Sequence, residues 1–387
     1  MNQTRKKLFQ PFAFAKGLTL RNRVVMAPMT TWAGNADGTV TDEEVAYYRR
    51  RVNGVGLVIT GCSHVQPNGI GFTDEFACYD DRFLPSLRRL AEAAKSGGAS
   101  AVLQVFHAGN KAIQELAPGG DLVSASAVTT EAGPFSPPAT PRALTHVEIL
   151  QVVRAFGEAT RRAIEAGFDG VELHGAHGFL IQNFLSPRFN QRTDQWGGSL
   201  EKRMRFPLEV VQEVKRVIEA HATRPFLLGY RVSPEEPGEG GLRVDDALVL
   251  IERLVDSGLD YVHASLTSVL EAEPIGPGQK TVKLILERVG GRVPVLAAGL
   301  IRKPEQAAKA MEMGLSLVAV GQGMVMNPDW VELAKSDLDE QIDTSLSTSK
   351  ARHVAIPGKL WKVIEATTGW FQLQAEAARP ENGATSP

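Results

Sequence analysis

A chain of 387 residues with 43% hydrophobic and 22% charged side chains can bury a large core, which excludes a disordered, fibrous or miniature protein. Forty-four acidic against 42 basic residues leave a formal charge of -2, so no strong field favours nucleic acid or an anionic membrane, and a small molecule is the expected partner. Two cysteines, Cys62 and Cys78, build neither a disulfide framework nor a thiolate metal cluster, which fits a cytoplasmic setting; Met1–Gly17 has no secretory core, and no apolar run reaches the ~18 residues of a membrane span.

In chain order, short β-branched apolar runs predict strands at Arg23–Pro28, Leu57–Thr60, Ser100–Phe106, Gly170–His174, Phe226–Val232, Tyr261–Ser265, Pro294–Ala298 and Leu317–Val320. Amphipathic stretches between them predict helices, among them Asp42–Asn53, Arg82–Ser96, Glu201–Glu219, Val244–Ser257, Pro304–Met313 and Pro328–Lys335. Eight such repeats point to an α/β fold, a (β/α)8 TIM barrel. An open doubly wound sheet would start with a Gly-rich fingerprint after its first strand, and none is present; Gly54-Val55-Gly56 enters a strand instead of leaving one. A barrel needs about 250 residues, so the surplus falls in loop insertions at Ala117–Thr145 and Gly178–Ser199 and in a C-terminal extension. The expected division is a barrel over 1–338 and an extension over 339–387, with a short helix at Val354–Ile364, the aromatic Gly369-Trp370-Phe371, and a disordered tail rich in Ala, Gly, Pro and Ser.

Barrel enzymes place their chemistry at the C-terminal strand ends. Strand four ends Glu172-Leu173-His174-Gly175-Ala176-His177, with two histidines able to converge on one atom. Three readings stay open: hydrogen-bond donors to a carbonyl or phenolate oxygen, a metal site that still needs further ligands, or two internally satisfied histidines. Gln104 ends strand three, Arg231 strand five, and Ala27-Pro28-Met29-Thr30 strand one; an amide, a guanidinium and a hydroxyl around one axis suit a planar heterocycle. Gly299 and Gly321-Gln322-Gly323 follow the last two strands, where barrels commonly hold phosphate on backbone N–H groups. Ala33–Glu44 mimics a calcium loop but has Ala at the first ligand position, and Arg49-Arg50-Arg51 reads as a solvated helix end.

The chain resembles the Old Yellow Enzyme family of FMN-dependent oxidoreductases in Leu20–Thr30, Gly54–Thr60, Gln104 with His107-Ala108-Gly109, and above all in the run Gly167–Gly178 continued by Asn183–Pro187 and Arg192–Ser199. The likeness spans roughly Leu8–Lys335. It implies FMN, with NAD(P)H as reductant and one pocket used in turn by nicotinamide and an electrophilic acceptor such as an enone. On this resemblance Ala27, Pro28, Met29, Thr30, Cys62, Gln104 and Arg231 meet the flavin, with Thr30 tuning it. Gly299, Gly321 and Gln322 lie at its phosphate. His174 and His177 bind the acceptor oxygen, with Trp32 and Trp370 walling the pocket, and no metal is implied. A homo-oligomer is compatible with this reading.

Three departures from the family pattern matter. Phe179 stands where the family has a proton-donating Tyr, which favours quinone or nitro acceptors, or a flavin-binding barrel with little turnover, as the alternative to an ene-reductase. Gln322 replaces an Arg that pairs with the phosphate, so weaker FMN binding is expected. Asn110 replaces another Arg after strand three.

Overall fold

A computed structural model describes residues 3–133, 135–276 and 278–374; the expected disordered tail falls mainly outside these residues. Eight parallel strands close into one barrel: β1 (Val24–Met26), β2 (Leu57–His64), β3 (Ser100–Phe106), β4 (Gly170–Gly175), β5 (Leu227–Val232), β6 (Tyr261–Ser265), β7 (Val295–Ala298) and β8 (Leu317–Val320). A helix follows each in turn: α1 (Asp42–Arg51), α2 (Leu84–Lys95), α3 (His146–Glu165), α4 (Arg205–His221), α5 (Val244–Asp256), α6 (Thr281–Val289), α7 (Pro304–Glu312) and α8 (Trp330–Lys335). The (β/α)8 expectation is met.

Strand side chains alternate, so the inner set forms its own core. Val25, Leu57, Ile59, Val102, Leu227, Tyr261, Leu296 and Leu317 fill the lower barrel, joined by Phe14 and Leu20 from the hairpin Phe12–Ala13/Thr19–Leu20. Above them the inner positions turn polar, with Gln104, Glu172, Arg231 and His263 all buried. This change from apolar to polar filling marks the functional end. Outside, the helices bury their apolar faces against the strands in the main core.

Three expectations change. Strand two runs on to His64 instead of stopping at Thr60, because its register against β3 shifts between Ile59 and Cys62. The shift makes a bulge, the backbone N–H of Gly61 donates to the Tyr48 hydroxyl of α1 at 2.8 Å, and Cys62 comes to pair with Gln104. The helix expected at Val354–Ile364 starts only at Gly358 and runs to Ala366, because Pro357 has no N–H to join it to a preceding turn, and a separate helix, Thr348–His353, precedes the break. Arg51 is buried, not solvated: its guanidinium sits 3.9 Å from the Tyr47 ring centroid and donates to the carbonyls of Tyr47, Val325, Val354 and Ala355. Arg50 pairs with Asp329.

The insertion before α3 carries a two-residue parallel pair, Val123–Ser124 and Arg142–Ala143. Thr145 ends it by capping α3, its hydroxyl accepting from the Glu148 N–H while Glu148 accepts from the Thr145 N–H. The other insertion is held from within by Asn190, which donates to the carbonyls of Phe184 and Trp196, and is tied to the first insertion by Arg192, which donates to the carbonyls of Ala125 and Leu144. Much of the family-like run therefore builds a loop. Among the described residues no helix is long and apolar enough to cross a membrane.

Candidate active site

At the C-terminal strand ends two cavities, of about 370 and 260 Å³, adjoin over Pro28, Met29, Arg231 and Trp370, which line both. Every residue expected at the flavin, at its phosphate or at the acceptor lines one or the other, whereas His107, Asn110 and Gly323 line neither. Thr30, Trp32, Cys62, Gln104, His174, His177 and Phe179 line the larger; Ala27, Gly299, Gly321 and Gln322 line the smaller. The strand ends of β1 to β5 thus converge on the first cavity, and those of β6 to β8 on the second.

The polar groups are held from below. Glu172 on β4 accepts from the Gln104 amide at 2.7 Å and from His263 Nδ1 at 2.9 Å. Burial pushes this carboxyl up, but His263, Arg231 and the amide outweigh it and hold it below its ordinary value. It is therefore an ionised counter-charge beneath Arg231. Because Gln104 commits its N–H to Glu172, its carbonyl oxygen is the end left to accept. Arg231 donates to Ser265 Oγ at 3.1 Å, and its buried Nε has no partner among the described residues.

His174 is buried and its pKa lies well below the ordinary value, first from desolvation and then from His177 and Arg231. The neutral ring accepts the Ala176 N–H on Nδ1 at 3.3 Å, which leaves the proton on Nε2. His177 has left-handed backbone, φ 59°, and its ring centroid lies 4.9 Å from that of His174. Its Nε2 meets Ser265 Oγ at 2.7 Å. The surrounding fold, Arg231 and Lys111 push its pKa down as well, an effect weakened by its exposure on the surface of the site. His174 is therefore a neutral ring with a free donor, and His177 stands beside it. Among the described residues no group of three His, Cys, Asp or Glu is placed to hold a metal ion.

Phe179 packs edge-on to His174 and Phe106, at 4.9 and 5.0 Å between centroids. Trp32, Phe72, Phe135 and Trp370 form a connected aromatic wall with centroid spacings of 5.3 to 6.2 Å. Cys62 stays a thiol, since burial pushes it well above its ordinary value, and its sulfur lies 3.5 Å from Thr30 Oγ1. The two glycines expected at the phosphate differ. A Cβ on Gly299 would meet the Leu266 carbonyl oxygen at 2.4 Å, so tight packing alone requires glycine there. One on Gly321 would meet only Met29 and Ala27 at 3.4 Å or more, and would take space from the cavity.

Sequence reasoning missed Phe72, Lys111, Ser265 and Arg302, all of which line the site. Lys111 follows the His107–Asn110 motif by one residue and donates to the His177 carbonyl at 2.6 Å, and burial lowers its pKa. Its position beside the motif was the available signal. Phe72 lies on a loop with no motif and had none.

Residues 7–341 match the model of the NADH:flavin oxidoreductase / NADH oxidase family. A probable NADH-dependent flavin oxidoreductase of Bacillus subtilis, YqiG, is 44% identical over 372 residues, covering 96% of this chain and 99% of its own. The NADH:fumarate oxidoreductase of Klebsiella pneumoniae is 37% identical over 93% of this chain, which spans only 39% of that longer protein. The structure of morphinone reductase in complex with tetrahydroNAD superposes with a TM-score of 0.72 at 29% identity, over 85% of this chain and 90% of that one.

Proposed function

Since this chain belongs to the NADH:flavin oxidoreductase / NADH oxidase family, the Old Yellow Enzyme family, whose cofactor is FMN and whose reductant is NAD(P)H, we propose that it reduces an electrophilic acceptor, foremost an activated alkene such as an enone. One observation carries the cofactor assignment: the adjoining cavities share a floor at Pro28 and Met29 and a guanidinium at Arg231 whose buried Nε lacks a partner. A planar group with donors and acceptors on its edge and an anionic tail fits that shape.

Pro28 and Met29 would support the ring, Gln104 would accept from its edge, Thr30 would donate to it, and Arg231 would balance negative charge on it. Gly321 leaves room for the tail. Bound there, FMN supplies the hydride chemistry. The protein's own part is orientation: His174 Nε2–H donates to the acceptor's carbonyl oxygen and draws charge onto it, with His177 beside it. The aromatic wall excludes water and offers faces for nicotinamide or acceptor to stack on. Phe179 favours a second reading. It puts no proton near the substrate α-carbon, so acceptors that exchange protons with water at oxygen, quinones above all, need nothing this site lacks.

The test is reconstitution. Full-length protein mixed with FMN and desalted should hold one flavin per chain, be bleached anaerobically by NADH or NADPH, and be reoxidised by 2-cyclohexenone or a benzoquinone. Protein that holds no flavin under these conditions refutes the assignment, and bleaching followed by reoxidation with the quinone alone selects the second reading.

A further inference from the structure

The family-pattern arginine absent at Gln322 has a substitute one loop away. After β7 the chain runs Gly299-Leu300-Ile301-Arg302, with Leu300 in left-handed backbone at φ 54°, and Arg302 lines the second cavity together with Gly321 and Gln322. Its guanidinium donates to the Gln322 amide oxygen from Nη2 at 2.7 Å and from Nε at 3.2 Å. The Gln322 amide in turn donates to the Trp370 carbonyl. The Arg302 backbone is fixed as well: its N–H reaches Gln306 Oε1 at 2.8 Å, and its carbonyl accepts from Trp330 Nε1 at 2.6 Å.

What this guanidinium lacks is a counter-charge. Among the described residues no carboxylate lies within ion-pair distance of Arg302, and its partner is a neutral amide. The adjacent cation, Lys303, turns away to the carbonyls of Asp339 and Ile342. A half-buried guanidinium with spare N–H donors, held by a neutral residue that lines the same cavity, has the chemistry to bind an anion.

We propose that Arg302 is the cation that binds the phosphate of FMN in this chain, and that Gln322 is a positioning residue that holds the guanidinium in place and anchors Trp370 beside it. The proposal rests on the FMN reading above. The charge that the family pattern carries after β8 is carried here after β7, so Gln322 does not weaken FMN binding.

Full-length protein freed of flavin is titrated with FMN and, separately, with riboflavin, which has the same ring and no phosphate; binding is read from quenching of flavin fluorescence. Arg302→Met should weaken FMN about 10- to 100-fold, the range of a charge-assisted hydrogen bond, and leave riboflavin affinity as in the parent. Its FMN affinity should also lose salt dependence. Adding Gln322→Arg to Arg302→Met should restore most of the FMN affinity. Equal FMN affinity in Arg302→Met and parent overturns the proposal. So does an equal loss for both flavins, which marks Arg302 as structural. A parent that binds neither flavin overturns the FMN reading itself, a result distinct from these two.

Discussion

Phe179 lies 6% exposed against His174, with an apolar ring at the face where an acceptor would sit. A positioned general acid contributes ~10²–10⁴-fold to a step that needs its proton. Phe179→Tyr is therefore expected to raise enone turnover and leave quinone reduction nearly unchanged, as measured by stopped-flow flavin reoxidation with each acceptor. Equal changes for both acceptors, or none, would refute this. The histidines have a separate expected signature. His174→Ala combined with His177→Ala should abolish binding of a phenol such as p-hydroxybenzaldehyde, read as loss of its spectral shift, and slow enone reduction by ~10²–10³-fold, with FMN retained. Parent-like enone rates in the double variant would make the pair structural.

At the scale of elements, the barrel is completed by contacts between segments far apart in sequence. Arg51 at the end of α1 is the clearest case, since one side chain satisfies carbonyls of the helix Gln322–Met326 and of the break between the two C-terminal helices. Those carbonyls include Val354 and Ala355, and Ala355 has φ 50°. Arg51→Met keeps the aliphatic stem and removes every donor, so it should destabilise the fold by about 3 kcal/mol, the loss expected when buried acceptors go unpaired. Thermal denaturation measures that loss. Limited proteolysis should then cut first near 354–357, because the segment's tie to α1 is gone. An unchanged melting temperature would show that water replaces the guanidinium at no cost.

For the whole molecule, buried histidines set a pH dependence. Burial pushes His107 down to about 3, with His64 adding like charge, whereas an unfolded histidine titrates near 6.5. Between those values the unfolded chain binds a proton that the native chain refuses, so this stability is complete above about pH 6.5 and is lost as pH falls. Glu44 acts in the opposite sense: burial raises its carboxyl to about 7, so its contribution is present at low pH and lost as pH rises through 7. The two partly cancel, which makes a difference measurement decisive. On going from pH 7 to 5.5, His107→Gln should gain about 1 kcal/mol relative to the parent, from denaturant melts at both pH values. Parallel pH profiles would show that His107 titrates normally.

The barrel was legible because its signal is local: each strand is a short β-branched run and each helix a 3.6-residue pattern, and Tyr261–Ser265 and Leu317–Val320 were bounded to the residue. The strand-end residues were legible for the same reason, since parallel strands closed into a barrel bring their C-terminal ends together whatever the loops do. Tertiary structure alone decided the rest, because it depends on contacts between segments remote in sequence. The β2 bulge is held by a tyrosine on α1, Arg51 is buried by a segment some 300 residues away, and Arg302 meets Gln322 only because β7 and β8 are neighbours. A motif records which residue types stand at a position, and so it registers the charge missing at 322. The charge at 302 lies in another loop, and only the closed barrel sets the two side chains face to face.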